Sequence, residues 1–107
     1  MLAIHEISSD SVSVLRIEGS LRTPLSGELR RRVQALLTRG ERRIVLDLGR
    51  VPDLDAGGIG ELVRVYNLTI ERDGALWIAN ASETVQRILE RVGLFHLLNG
   101  AVGRRAK

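Results

Sequence analysis

Residues 44–60 read IVLDLGRVPDLDAGGIG, and this stretch decides the architecture of the chain. Ile44 to Leu48 is a short, nearly unbroken apolar run, the pattern of a strand buried on both faces. An acidic loop follows, with Asp53 and Asp55. The glycine step Gly57-Gly58-Ile59-Gly60 then leads into a helical pattern with Ile59, Leu62, Val63, Tyr66 and Ile70 on one side. Asp73-Gly74 closes that helix. The order is therefore strand, loop, helix, and any working site is expected where the strand hands over to the helix.

Outward from this unit the same alternation repeats. Ala75 to Ala79 reads as a second buried strand. Ser82 caps a third helix whose stripe is Val85, Ile88, Leu89 and Val92, stopped at Gly93. Leu94 to Leu98 forms either a last short strand or an apolar end-piece, and residues 100–107 are expected to be a frayed basic tail. Before Ile44, residues 2–8 and 12–18 nearly alternate around the turn cluster Ser8-Ser9-Asp10-Ser11, which predicts an antiparallel hairpin. Thr23-Pro24 reads as the N-cap and first position of a helix, because proline's missing N–H is no loss there. Leu25, Leu29, Val33, Leu36 and Leu37 form its stripe, and Gly40 ends it.

The predicted order is β-β-α-β-α-β-α with a possible final strand. Strands joined by helices of this length run parallel through right-handed crossovers, which gives a two-layer α/β domain. A mixed four- to five-stranded sheet with helices mainly on one face is expected. At 107 residues there is room for one core, and no linker or repeat marks a second domain.

Bulk properties narrow the function. With no cysteine, disulfides and thiolate metal sites are excluded, and His5 and His96 make no zinc site unaided. No apolar run is long enough to span a bilayer, and MLAIHEISSD lacks the basic lead and apolar stretch of a signal peptide. A cytoplasmic protein without membrane insertion is expected. The net charge of +3 is uneven: seven arginines lie between Arg22 and Arg43 against Glu28 and Glu41. Such a patch suits phosphates, an acidic partner, or simply a solvated helix face. Tyr66, Trp77 and Phe95 fall at expected core positions, leaving no aromatic platform for single-stranded nucleic acid. No nucleic acid partner is expected.

Three chemistries compete for Asp55-Ala56-Gly57-Gly58-Ile59-Gly60. A nucleotide cradle is disfavoured: Val63 stands where a dinucleotide fingerprint needs a small residue, no lysine follows, and the next strand ends in Ala79-Asn80. Catalysis is disfavoured because the loop has no histidine, cysteine, serine or threonine, and Asp47 reads as a strand-end residue bonding nearby backbone. No enzyme activity and no cofactor or metal are expected. Two readings stay open on the residues: Asp55 as an N-cap with glycines as packing spacers, or a recognition surface.

The runs IVLDLGRVPDLDAGGIGELV and DGALWIANASETVQRILERVGLFHLL resemble the STAS domain of anti-sigma factor antagonists. Ile17-Glu18-Gly19-Ser20-Leu21 sits at that family's strand-end G-x-L turn. The D-x-x-G-x-G step and a V-x-x-x-L-x-x-x-G-L close complete the likeness, which spans residues 1–99. The resemblance implies a STAS-like fold, a stand-alone binding module, and a partner that is both an anti-sigma factor and a serine kinase. It implies that the residue after the aspartate is the phosphoacceptor hydroxyl, and that phosphorylation prevents partner binding.

This chain departs from the pattern there. Ala56 occupies the phosphoacceptor position, Gly57 replaces the usual serine neighbour, and Arg22 stands where many members have an aspartate. The expected contact surface comprises Ser20, Arg22, Thr23, Asp55, Ala56, Gly57, Gly58, Ile59 and Leu62. The expected function is partner binding in bacterial control of transcription, without a switch at Ala56. The alternative is a constitutive STAS scaffold or accessory subunit of a stress-signalling complex or lipid-transport system.

Overall fold

The computed structural model describes residues 2–9 and 11–94. Its elements are β1 (Ala3–Ser9), β2 (Val12–Glu18), α1 (Glu28–Thr38), β3 (Arg43–Arg50), α2 (Ala56–Glu71), β4 (Ala75–Ala79) and α3 (Glu83–Arg91). The sheet order is β1-β2-β3-β4. The β1–β2 pair is antiparallel, as its short turn requires, and the helix-joined pairs β2–β3 and β3–β4 are parallel. Four strands are described. The expected end-piece begins at Leu94, which belongs to no strand, and the rest of it lies outside the described residues, as does the basic tail.

One core lies between sheet and helices. Leu15 and Ile17 of β2, Ile44, Leu46 and Leu48 of β3, and Leu76 and Ile78 of β4 meet Val33, Leu36 and Leu37 of α1, Leu62 and Val65 of α2, and Val85 and Leu89 of α3. Each such side chain contributes roughly 1.5–3 kcal/mol of burial, so the alternating strand positions specify which sheet face the helices cover.

The opposite face corrects the first expectation. β3 is buried on one face only, with Val45 and Asp47 half-buried between Ile44, Leu46 and Leu48. Sheet register aligns Ile7, Val14, Val45 and Trp77 in a row across the four strands on that outer face. Ile7 is 48% exposed, and Trp77 is a half-buried member of this row, outside the core. An apolar run of five residues does not separate one-sided from two-sided burial, since Val45 serves a partly covered face as well as a closed one.

The second correction concerns α1, which starts at Glu28 after Gly27, four residues beyond Pro24. Thr23-Pro24 is a cis peptide bond. Thr23 is not a helix cap: α1 begins only at Glu28, and the chain around Thr23 is tied instead to the β3–α2 loop, with the Thr23 N–H donating to Asp55. Ser26 supplies a local bond instead, accepting from Glu28 N at 3.2 Å.

The third concerns the rotation of α2. Its inward residues are Gly58, Glu61, Leu62, Val65 and Thr69, while Ile59, Val63, Tyr66 and Ile70 are half-buried at the margins. Gly58 sets this phase by lying against Leu21, as described below. Of the two polar members, Thr69 donates to the Val65 carbonyl at 2.8 Å; Glu61, 4% exposed, accepts from Arg64 at 3.1 Å through Oε1, while its buried Oε2 has no hydrogen-bond partner and lies 3.9 Å from Arg30 of α1.

Much of the arginine patch is internal bracing. Arg32 donates to the Ile4 carbonyl at 2.8 Å and Arg39 pairs with Glu6 at 2.9 Å, both clipping α1 to the N-terminal hairpin. Arg31 and Arg42 bond carbonyls of Ser26 and Leu37 at the two ends of the helix. The Glu6 carboxyl is held below the usual range by Arg39 first and by the Ser8 hydroxyl second.

Candidate functional site

The site forms where β2 and β3, running parallel, release their chains from the same end of the sheet. Residues 19–23 and 50–55 then continue side by side as a short extension of the pairing. Gly19 N donates to the Arg50 carbonyl (3.1 Å), Leu21 N to the Asp53 carbonyl (3.1 Å), and Asp55 N back to the Leu21 carbonyl (3.2 Å). Leu21 and Leu54 form a parallel bridge, and both are buried. These apolar anchors hold the two loops down while the polar residues between them stay at the surface.

Asp55 closes the arrangement. One carboxylate oxygen accepts from Gly58 N at 2.9 Å, capping α2, and the other accepts from Thr23 N at 2.9 Å, tying in the facing turn. Its carboxyl is held below the ordinary carboxylate range, first by the Thr23 N–H and then by the Gly58 N–H, with Arg22 helping least. A single side chain thereby makes one rigid surface from two loops.

The glycines make room for that approach. A Cβ at Gly58 would collide with the Leu21 carbonyl oxygen, and a Cβ at Gly57 would collide with Thr23 Oγ1. A Cβ at Gly60 meets nothing within 4 Å, so the third glycine has no such packing reason.

Of the nine expected surface residues, Arg22, Thr23 and Ala56 are exposed, and Ser20, Asp55, Gly57 and Ile59 are half-buried around them. Two do not belong to the surface. Leu62 is fully buried in the core, and Gly58 is buried against Leu21. Helical geometry explains both, since Gly58, Leu62, Val65 and Thr69 share the inward stripe of α2.

Sequence reasoning did not find the groove beside this surface. It is an open depression of about 370 Å³ between the 20–26 turn and the start of α1, with Arg22, Pro24, Leu25 and Glu28 among its walls. It exists because α1 starts late, and the Pro-Leu-Ser-Gly run gives no periodic signal for that. Nor did residue spacing indicate that Thr23 faces Asp55, a contact across 32 positions.

Among the described residues no three His, Cys, Asp or Glu side chains converge to hold a metal ion. Asp47 Oδ1 accepts from Gly49 N at 2.9 Å, which is the strand-end role expected of it. The arrangement supplies a fixed shape, backbone donors already occupied by Asp55, and one exposed guanidinium. It is suited to contact.

Comparison with known proteins agrees with this picture. Residues 4–103 match the STAS domain family, and the chain belongs to it. BtrV of Bordetella bronchiseptica, assigned as an anti-sigma factor antagonist, is 25% identical over 97 residues, covering 91% of this chain and 84% of that protein. A Thermotoga maritima crystal structure with the same assignment superposes with a TM-score of 0.81 at 20% identity, covering 94% of this chain and 95% of that one. The phosphorylated form of the Bacillus cell fate determinant SpoIIAA superposes with a TM-score of 0.67 at 19% identity, over 86% and 85% of the two chains. These likenesses make the fold that of the anti-sigma factor antagonists. No described helix is long and apolar enough to cross a membrane.

Proposed function

We propose that this chain is a protein-binding module of the anti-sigma factor antagonist kind. It docks on an anti-sigma factor of the serine-kinase type through the start of α2 and the facing 20–23 turn. The observation that carries the reading is the Asp55 clip, which joins Thr23 and Gly58 and presents Arg22, Thr23 and Ala56 together at the surface. The contact set is Ser20, Arg22, Thr23, Asp55, Ala56, Gly57 and Ile59.

Ala56 heads α2 where the resemblance places a phosphoacceptor. It has no hydroxyl, so no phosphate is installed at that residue. A phosphate would add about −1.5 to −2 charges to the middle of the contact. An unpaired charge buried in an interface costs on the order of 3–5 kcal/mol, so the module binds without an off-switch at residue 56.

Calorimetric titration against each kinase-type anti-sigma factor encoded in the same genome tests this. Binding to at least one is expected, with Ala56→Glu and Arg22→Glu each weakening it tenfold or more. Failure of the chain to bind any of them would end the proposal.

A further inference from the structure

The outer face of the sheet carries the apolar row Ile7, Val14, Val45 and Trp77, which crosses all four strands and takes no part in the Asp55 clip. The two ends of this row differ. On β1, Ile7 stands out, 48% exposed. At the β4 end the face sinks into an apolar hollow of about 300 Å³, with Val12, Val45, Trp77 and Ala79 among its walls. In the adjoining row the register sets Arg16 of β2 beside Asp47 of β3. None of the ion pairs among the described residues uses either of them, although Glu18 on the same face is met by His5 and Arg50. Asp47 has its local bond from Gly49 N. A protrusion, a hollow, a cation and an anion are thus laid out on one face.

We propose that this face pairs with the same face of a second copy of the chain, about a two-fold axis running along the strands between β2 and β3. That axis exchanges β1 with β4 and β2 with β3. It seats Ile7 of each copy on Trp77 and the hollow of the other, sets Val14 on Val45, and places Arg16 over Asp47 twice. A two-fold contact needs a self-complementary face of this kind, with each feature and its counterpart on opposite sides of the axis. A two-fold axis across the strands would instead set Ile7 on Ile7 and Arg16 against Val12, leaving a guanidinium on apolar surface. Stacked sheets pack about 10 Å apart with their strands within about 30° of parallel, which keeps these rows opposed. Four strands at about 4.8 Å spacing span about 19 Å, a small contact, so the dimer is a reversible one. The inference is independent of the docking function, because the Asp55 clip lies beyond the ends of β2 and β3 and outside the paired faces.

Sedimentation equilibrium of the full chain from about 10 μM to about 1 mM tests this, and a monomer–dimer equilibrium is expected in that range. Trp77 is the chain's one tryptophan and reports on the face directly. Its quenching by acrylamide is expected to fall at least twofold as dimer forms. Arg16→Asp and Asp47→Arg, each checked for folding by circular dichroism, are expected to weaken the dimer tenfold or more. An equimolar mixture of the two is expected to restore it, because the two changes then face each other across the axis. Ile7→Lys lies at an exposed edge position and is expected to weaken self-association tenfold whether or not Asp47→Arg folds. A chain that stays monomeric throughout, or Ile7→Lys dimerising as tightly as the natural chain, overturns the inference. So does a dimer that leaves Trp77 quenching unchanged, or folded charge variants that do not recover on mixing. Trp77 shielded equally at every dilution shows that residues 95–107 of the same chain cover the face, which overturns it as well.

Discussion

Helix α1 follows Gly27, which has no side chain to cap it, so that only Ser26 Oγ accepts from its first N–H, whereas α2 follows Asp55, whose carboxylate closes both its own helix and the 20–23 turn. Gly27 is left-handed, with φ of 84°, and the chain reaches it through an irregular turn that borders an open groove. Asp55 is extended, and the chain reaches it along the end of β3. Thr23, which the sequence offers as the cap of α1, sits instead on the turn that is bonded across to the start of α2. What would have been two local helix caps has become one shared tertiary clip. A surface for another protein gains from this, because a pre-formed contact loses less freedom on binding.

Breaking the clip from the glycine side is expected to have the largest effect. Gly58→Ala forces a Cβ into the Leu21 carbonyl oxygen, with the carbonyl carbon also close at 2.9 Å, and neither backbone atom has a flexible end to move. A loss of about 3 kcal/mol is expected in urea unfolding, even after the helix propensity gained by alanine. Binding to the partner is expected to fall with it, since α2 must rotate or retreat from the turn.

Removing the carboxylate comes next. Asp55→Ala loses both bonds at once, and a drop in Tm on the order of 5 °C is expected by calorimetry. Asp55→Asn sharpens the point through pH. The folded carboxyl is held below its ordinary range, so its stabilising effect is present above the unfolded value, about pH 4, and is lost as pH falls through the lower folded value. Stability of the natural chain is therefore expected to decline between pH 5 and lower pH more steeply than that of Asp55→Asn, by about the share Asp55 contributes. Parallel curves for the two chains would show that the clip carries no such linkage.

On the α1 side, Gly27→Ala places a side chain at φ of 84°, and the nearby atoms at 3.2 and 3.3 Å are the movable tips of Arg30 and Arg31. Backbone strain is the main term, about 1–2 kcal/mol, and partner binding is expected to change little. The smallest effect has the opposite sign. Gly60→Ala meets open space inside a helix, so it is expected to stabilise by about 0.5–1 kcal/mol. Gly58 and Gly60 are two positions apart and look alike in the sequence, so this pair of measurements separates a glycine required by packing from one that is not.

Particular residues show how far the sequence could be read. Alternation in residues 12–18, the apolar run 44–48, the glycine stops and the Ser82 cap placed every described element in its order, because these are local signals with local physical causes. Ser82 accepts from Val85 N at 3.2 Å, as its position before the third helix implied. Thr23-Pro24 carries an equally good local signal for a helix start, and there it failed. Asp55, 32 residues away, takes the Thr23 N–H and holds the chain there against the β3–α2 loop, and no short window along the chain contains both. The phase of α2 failed for a related reason: Ile59, Tyr66 and Ile70 make a plausible stripe, but only the approach of Leu21 to Gly58 selects which side faces inward.

The sequence by itself determined the order of strands and helices, the parallel crossovers, the family, and the absence of a hydroxyl between Val51 and Gly60. Those depend on residue type and spacing alone. Tertiary structure alone decided that β3 has one partly covered face, that α1 starts late and leaves a groove, that Leu62 is core, and that Thr23 lies over Gly57. Each of these is settled by a contact between segments distant in the chain, where the nearest neighbour in space outranks the nearest neighbour in sequence.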